Sequence, residues 1–121
     1  MKRIRQVHFY LGVLFAPMII FLAFSGALQT FRLQDAPKDG SYTPPSWIVR
    51  MAEVHINQRA VRDPGRRPSV PLKWFMVLLA LGLITTSLLG VYMAFKFNYD
   101  KRVIIGLMLL GFVIPVVLLY L

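Results

Sequence analysis

The chain has 121 residues, 57% of them hydrophobic, with 14 Lys+Arg against 5 Asp+Glu and a net charge of +9. Soluble domains lie nearer about 45–50% apolar, so lipid is the solvent for much of this chain, and its length leaves no room for a separate soluble domain. The basic charges fall outside three apolar blocks, which reads as headgroup anchoring rather than a nucleic-acid patch. The absence of cysteine excludes disulfides, Fe–S clusters and thiol chemistry.

Residues 1–8 form a basic arm carrying Lys2, Arg3 and Arg5, and residues 9–31 form the first span. From Phe9 to Leu28 there is no charge, and at about 1.5 Å per residue ~20 helical residues cross the ~30 Å hydrocarbon layer. The same stretch has the parts of a cleaved signal peptide, with Ser25-Gly26-Ala27 as a small-residue site. Its apolar run exceeds the ~7–15 residues of an h-region, however, and its aromatic ends suit interfacial anchoring. A retained span is therefore the expectation.

Residues 32–71 are the one long polar segment. Gly, Pro and Asp make 35–45 a loop. Ser46 then stands as an N-cap before a helix over 47–61. There Trp47, Met51, Val54 and Val61 recur at helical spacing, while Arg50, Glu53 and Asn57 share another face. That pattern predicts a short amphipathic interfacial helix. The second span is 72–95, with Gly82, Gly90 and the run Thr85-Thr86-Ser87 allowing close helix approach. A basic hairpin, 96–102, leads to the third span, 103–121, with Pro115 as a kink. The expectation is that the chain ends at the bilayer and leaves no soluble tail. The fold class is thus an all-α membrane protein, one module of three transmembrane helices and one amphipathic helix.

Three spans place the N-terminal arm and the 96–102 hairpin on one side, with six basic residues against eight in the long segment. The six are concentrated in two very short pieces beside the bilayer, and by density the positive-inside rule puts the N-terminus in the cytoplasm. All five acidic residues lie outside the apolar blocks, which argues against an ion or proton relay. No paired carboxylates, Ser–His–Asp set, phosphate loop or metal-ligand cluster is evident, so an enzyme acting alone is not expected.

His8 and His55 are the remaining candidates for chemistry. Neutral imidazole is a good axial ligand for haem iron, and Gly12, one turn from His8, leaves space for a flat porphyrin. The bland readings are an interfacial polar residue for His8 and an ordinary helix surface for His55. With a span of ~30 Å between them, the two rings lie at opposite membrane faces. One haem cannot use both within a monomer, so a bis-His site needs a second copy or a partner subunit. Met93 is expected near the depth of His8 and Met76 near that of His55; methionines in spans are more often packing residues.

The basic arm, H-F-Y-L-G (8–12), the mid-span proline, S-G-A-L (25–28), a histidine before the second span and Gly90 near its end resemble the PepSY-associated transmembrane proteins of bacteria. The resemblance is best over 3–31 and then about 47–96. It implies an inner-membrane protein with a periplasmic segment between spans one and two. Some members are implicated in siderophore or iron reduction and carry haem on histidines near both faces. Carried over, His8 matches the cytoplasmic-side ligand and His55 the periplasmic one. This chain has three spans rather than four or more, no recognisable PepSY domain and no further histidines, and so looks like a short, single-module form.

The leading expectation is a small, non-enzymatic inner-membrane protein, an accessory or structural subunit of a larger complex. Membrane lipids and other membrane subunits, or a second copy in a homodimer, are its partners, and nucleic acid is not. The alternative is a b-type haem electron-transfer protein related to PepSY-type iron or siderophore reductases, with His8 and His55 as axial ligands. A third reading is a lipid-facing regulator held by the basic patch at Arg62, Arg66 and Arg67.

Overall fold

A computed structural model describes residues 2–121 as four helices: α1 (Lys2–Thr30), α2 (Ser46–Asn57), α3 (Val70–Lys96) and α4 (Lys101–Leu119). Among the described residues there is no strand. Helices α1, α3 and α4 are each long and apolar enough to cross a membrane, and the chain is a small multi-pass membrane protein.

Each helix end has a local cause. At the end of α1, Arg32 adopts the left-handed conformation at φ 53°. Its N–H then reaches the Gln29 carbonyl at 2.9 Å, and that of Leu33 reaches Leu28 at 3.3 Å. This is the paired bonding of a Schellman ending, here without the usual glycine. Helix α3 opens on Ser69, whose hydroxyl accepts from Leu72 N–H, with Pro71 in the first turn where its missing N–H costs nothing. Helix α4 opens on Asp100, whose side chain accepts from Arg102 N–H.

Helices α1 and α3 run antiparallel as the main pair. Phe15 of α1, 4% exposed, inserts against Gly82 of α3. Its ring lies 6.4 Å, centroid to centroid, from that of Phe75, also on α3. Helix α2 lies against α1 and buries Ile48 and Ala52. Helix α4 meets α3 alone, beside the connecting hairpin. Ile104 is the one residue of α4 that is part-buried; the others are exposed.

Three details of the polar segment differ from the sequence expectation. Helix α2 stops at Asn57, not Val61, because Gln58 turns left-handed at φ 50° and both Gln58 and Arg59 N–H groups fold back onto the Glu53 carbonyl. Ser46 is its first helical residue, and Pro45 takes the cap position without a side-chain bond. Glu53, expected on a solvated face, is 3% exposed. The chain beyond the helix curls over it: Arg59 approaches its carboxylate at 3.2 Å and Arg62 at 3.0 Å, and Asn57 adds a hydrogen bond at 3.1 Å. Burial raises the pKa of this carboxyl; the Arg62 and Asn57 hydrogen bonds and the charges of Arg59 and Arg62 outweigh that and hold it below the ordinary value.

Candidate functional site

Two open apolar clefts flank the α1–α3 pair, one toward each end, and each contains one histidine and one methionine. The first, about 560 Å³, is lined by Arg5, His8 and Phe9 of α1, by Gly90 and Met93 at the far end of α3, and by Phe97 just beyond it. The second, about 480 Å³, is lined by Leu22 of α1, His55 of α2, Gln58 and Met76, Leu79 and Leu83 of α3. The expected pairings by depth, His8 with Met93 and His55 with Met76, are those found. The two histidines are not brought together. His55 lies against Gly26, about 27 Å beyond His8 along α1 at ~1.5 Å per residue.

His8 is anchored across the bundle. Its Nδ1 lies 2.9 Å from the Thr86 carbonyl oxygen and 2.9 Å from the Thr86 hydroxyl. A carbonyl oxygen can only accept, so where the ring is neutral its proton is on Nδ1 and is donated there. The lone pair then belongs to Nε2, which makes no hydrogen bond among the described residues. A ring N–H spent on a carbonyl is the arrangement that orients metal-ligating histidines and fixes their tautomer. Beside the ring, a Cβ at Gly90 would come to 3.5 Å from Cε1. The glycine against His8 is thus Gly90 of α3, whereas nothing lies within 4 Å of a Cβ built on Gly12. At the rim, the Arg5 guanidinium sits 5.7 Å from the centroid of the Phe97 ring, a cation–π distance.

His55 is held differently. Gln29 donates from its amide nitrogen to Ser25 Oγ at 2.9 Å, and the same nitrogen is 3.2 Å from His55 Nδ1. An amide NH₂ has two protons and no lone pair to share, so His55 Nδ1 accepts and its proton sits on Nε2. Ser25, at 1% exposed, is the most buried residue of α1, and Gln29 links it to the ring one turn away. His55 therefore offers an N–H where His8 offers a lone pair.

A haem fits the His8 cleft on these grounds: an apolar wall, a side chain with its lone pair free and its tautomer fixed, a glycine beside the ring, and Met93 on the same wall. Arg5 at the mouth would meet a carboxylate. The His55 cleft has the apolar wall and the methionine, but its ring is arranged as a donor.

Thr86 and Ser25 carry no mark of chemistry in the sequence alone, and Gln29 carries only its position at a span end. Thr86 belongs to a polar run inside an apolar helix, and the run splits by role. Thr85 bonds back to the Leu81 carbonyl at 2.8 Å, while Thr86 turns to His8. Gln29, an amide at the last turn of a span, was the available signal for the second site. No family model, curated protein or solved structure matches the chain.

Proposed function

We propose that this protein is an accessory subunit of a larger bacterial inner-membrane complex, oriented with its N-terminus in the cytoplasm. The observation that carries this reading is a contrast among the glycines. Gly26, Gly82 and Gly90 each have a side chain of this chain against them, whereas Gly106 and Gly111 of α4 and Gly12 of α1 have nothing within 4 Å. Lipid gives helices no hydrophobic reason to associate, so small residues that admit close approach decide where spans meet. Helix α4 leans on α3 only beside the hairpin, and its two glycines face away from any neighbour in the chain. A partner span seated along α4 would use them. Purification in mild detergent tests this: larger proteins should co-migrate, and loss of that association in Gly106→Leu would place the contact on α4. A monodisperse, unaccompanied monomer would overturn the reading.

A second reading rests on the Thr86–His8 bond. The chain supplies one axial histidine of a b-type haem at the cytoplasmic-side cleft, with Met93 or a partner's side chain completing the site. The resemblance of H-F-Y-L-G and its surroundings to PepSY-associated proteins supports the same assignment. Bound there, haem would supply one-electron transfer. The chain's part is to hold an imidazole in one tautomer, to wall the ring with apolar side chains and to place Arg5 at the mouth.

A further inference from the structure

We propose that the His55 cleft binds the ring of a prenylated quinone, with His55 Nε2–H donating to a ring carbonyl. The inference goes beyond the assignments above and does not depend on the His8 cleft.

The walls define what can enter. Ile19 and Leu22 of α1 and Leu79, Ala80 and Leu83 of α3 give an aliphatic surface on two transmembrane helices, and no charged side chain lines it. Phosphate, carboxylate and cationic ligands would enter without a counter-charge and are disfavoured. The ligand is therefore neutral and reaches the cleft from the bilayer. At about 480 Å³ the space falls within the ~300–1,000 Å³ of ordinary small-molecule sites.

The polar groups then narrow the class. Gln29 donates to His55 Nδ1, which leaves the ring proton on Nε2, without a partner among the described residues. Gln58 directs its amide nitrogen to the carbonyls of His55 and Ile56, at 3.2 and 3.3 Å. Its Oε1 makes no hydrogen bond among the described residues, and Gln58 is one of the residues lining the same cleft. One N–H donor and one amide acceptor beside an aliphatic slot match a quinone carbonyl on the first and a quinol hydroxyl on the second. A lipid acyl chain matches neither group and leaves the imidazole N–H without a partner. That difference decides between the two lipid-soluble occupants.

The test uses the full chain in detergent and decylubiquinone as the probe, with binding read by calorimetry and by quenching of tryptophan fluorescence. Saturable binding is expected, weakened at least tenfold in His55→Phe, which keeps a ring but loses the donor. Because His55→Phe could disturb the seating of α2, Ala80→Phe serves as a second variant. Ala80 is an exposed lining residue, and a ring there fills the slot while leaving His55 in place; it should weaken binding similarly. His8→Ala should bind as the wild type does, which separates this site from the haem reading. Three results would overturn the proposal. One is binding unchanged in both cleft variants. Another is competition by undecylbenzene as effective as by the quinone. The third is a haem spectrum that His55→Ala abolishes, because it would require the lone pair on Nε2.

Discussion

The ring of Phe15 occupies the space that a side chain at Gly82 would need. A Cβ built on Gly82 would collide with the Cε2 and Cδ2 atoms of that ring. Phe15 is 4% exposed, and Leu79, one turn before Gly82 on α3, is 3% exposed. In a protein whose other apolar side chains mostly face lipid, this is where α1 and α3 become one body. It also lies between the levels of the two histidines along α1, closer to His8 than to Gly26, against which His55 lies.

Gly82→Ala should therefore be costly although it adds one methyl group. Overpacking a close-fitted contact costs about 1–3 kcal/mol, and the ring cannot swing away without giving up Phe75. Thermal unfolding in detergent should show a clearly lower midpoint for Gly82→Ala, while Gly106→Ala and Gly111→Ala, with open space around them, should be neutral. Equal effects at all three positions would mean that the Phe15 contact does not hold the pair together.

At the His8 cleft, the two atoms of Thr86 that meet the ring can be separated by mutation. The carbonyl belongs to the backbone and survives Thr86→Val; the hydroxyl does not. If the carbonyl orients the ring, haem added to the purified chain should give a Soret band and an α-band in both wild type and Thr86→Val. Both bands should be lost in His8→Ala. Absorbance spectra of the oxidised and reduced protein check this, and a Thr86→Val protein without the bands would show that the hydroxyl does the orienting.

Much of the architecture could be read from residue order, because each span is a long uncharged run and the bilayer sets its length. The depth pairing of each histidine with a methionine followed from the same ruler. What could not be read was rotation about the helix axes. Along α3, Thr86 shares the four-residue spacing of Gly82 and Gly90 and hence their face, but that spacing does not say which helix packs there, and only the approach of α1 brings the Thr86 hydroxyl to His8. Glu53 is the sharper case. Its spacing with Arg50 and Asn57 places it on a polar face, and it is buried because the helix stops at Asn57 and the residues that follow, Arg59 and Arg62, turn back to cover it. A wheel drawn on one helix contains no information about chain that folds back from beyond it.

The arginines that cover Glu53 should be unequal. The Arg59 side chain is 18% exposed and that of Arg62 is 51%. Arg59 also donates to the Asp63 carbonyl at 3.0 Å and to that of Arg66 at 3.4 Å. Exposed ion pairs contribute about 0–1 kcal/mol, whereas removing one partner of a buried pair costs about 3–5 kcal/mol. Arg59→Ala should accordingly raise hydrogen exchange across residues 58–69 far more than Arg62→Ala does. Comparable protection in the two variants would show that burial does not rank these pairs.

The same carboxyl gives the loop a pH dependence of known sign. Glu53 has a folded-state pKa below its ordinary value, so the folded form favours the ionised group. Its contribution to loop stability is complete above the ordinary carboxylate range and is lost as pH falls through the depressed folded value. Trypsin is ill suited to so acidic a range, so exchange protection of residues 58–69, or cleavage by pepsin, is the measurement. Protection should hold from neutral pH down to the ordinary carboxylate range and fail below it. In Glu53→Gln it should be weaker at neutral pH and flat across the same range.

Orientation can be settled directly because the chain has no cysteine, so any single introduced thiol reports alone. Ser41, in the loop between α1 and α2, and Tyr99, in the hairpin between α3 and α4 and 69% exposed, lie on opposite sides of a bilayer crossed by α1, α3 and α4. The short arm and hairpin hold Lys2, Arg3, Arg5, Lys96, Lys101 and Arg102 next to the hydrocarbon, and lysines and arginines close to span ends resist translocation most. With the N-terminus inside, Ser41→Cys should react with a membrane-impermeant maleimide in intact spheroplasts, and Tyr99→Cys only after permeabilisation. The reverse pattern would exchange the sides of the membrane on which the His8 and His55 clefts open.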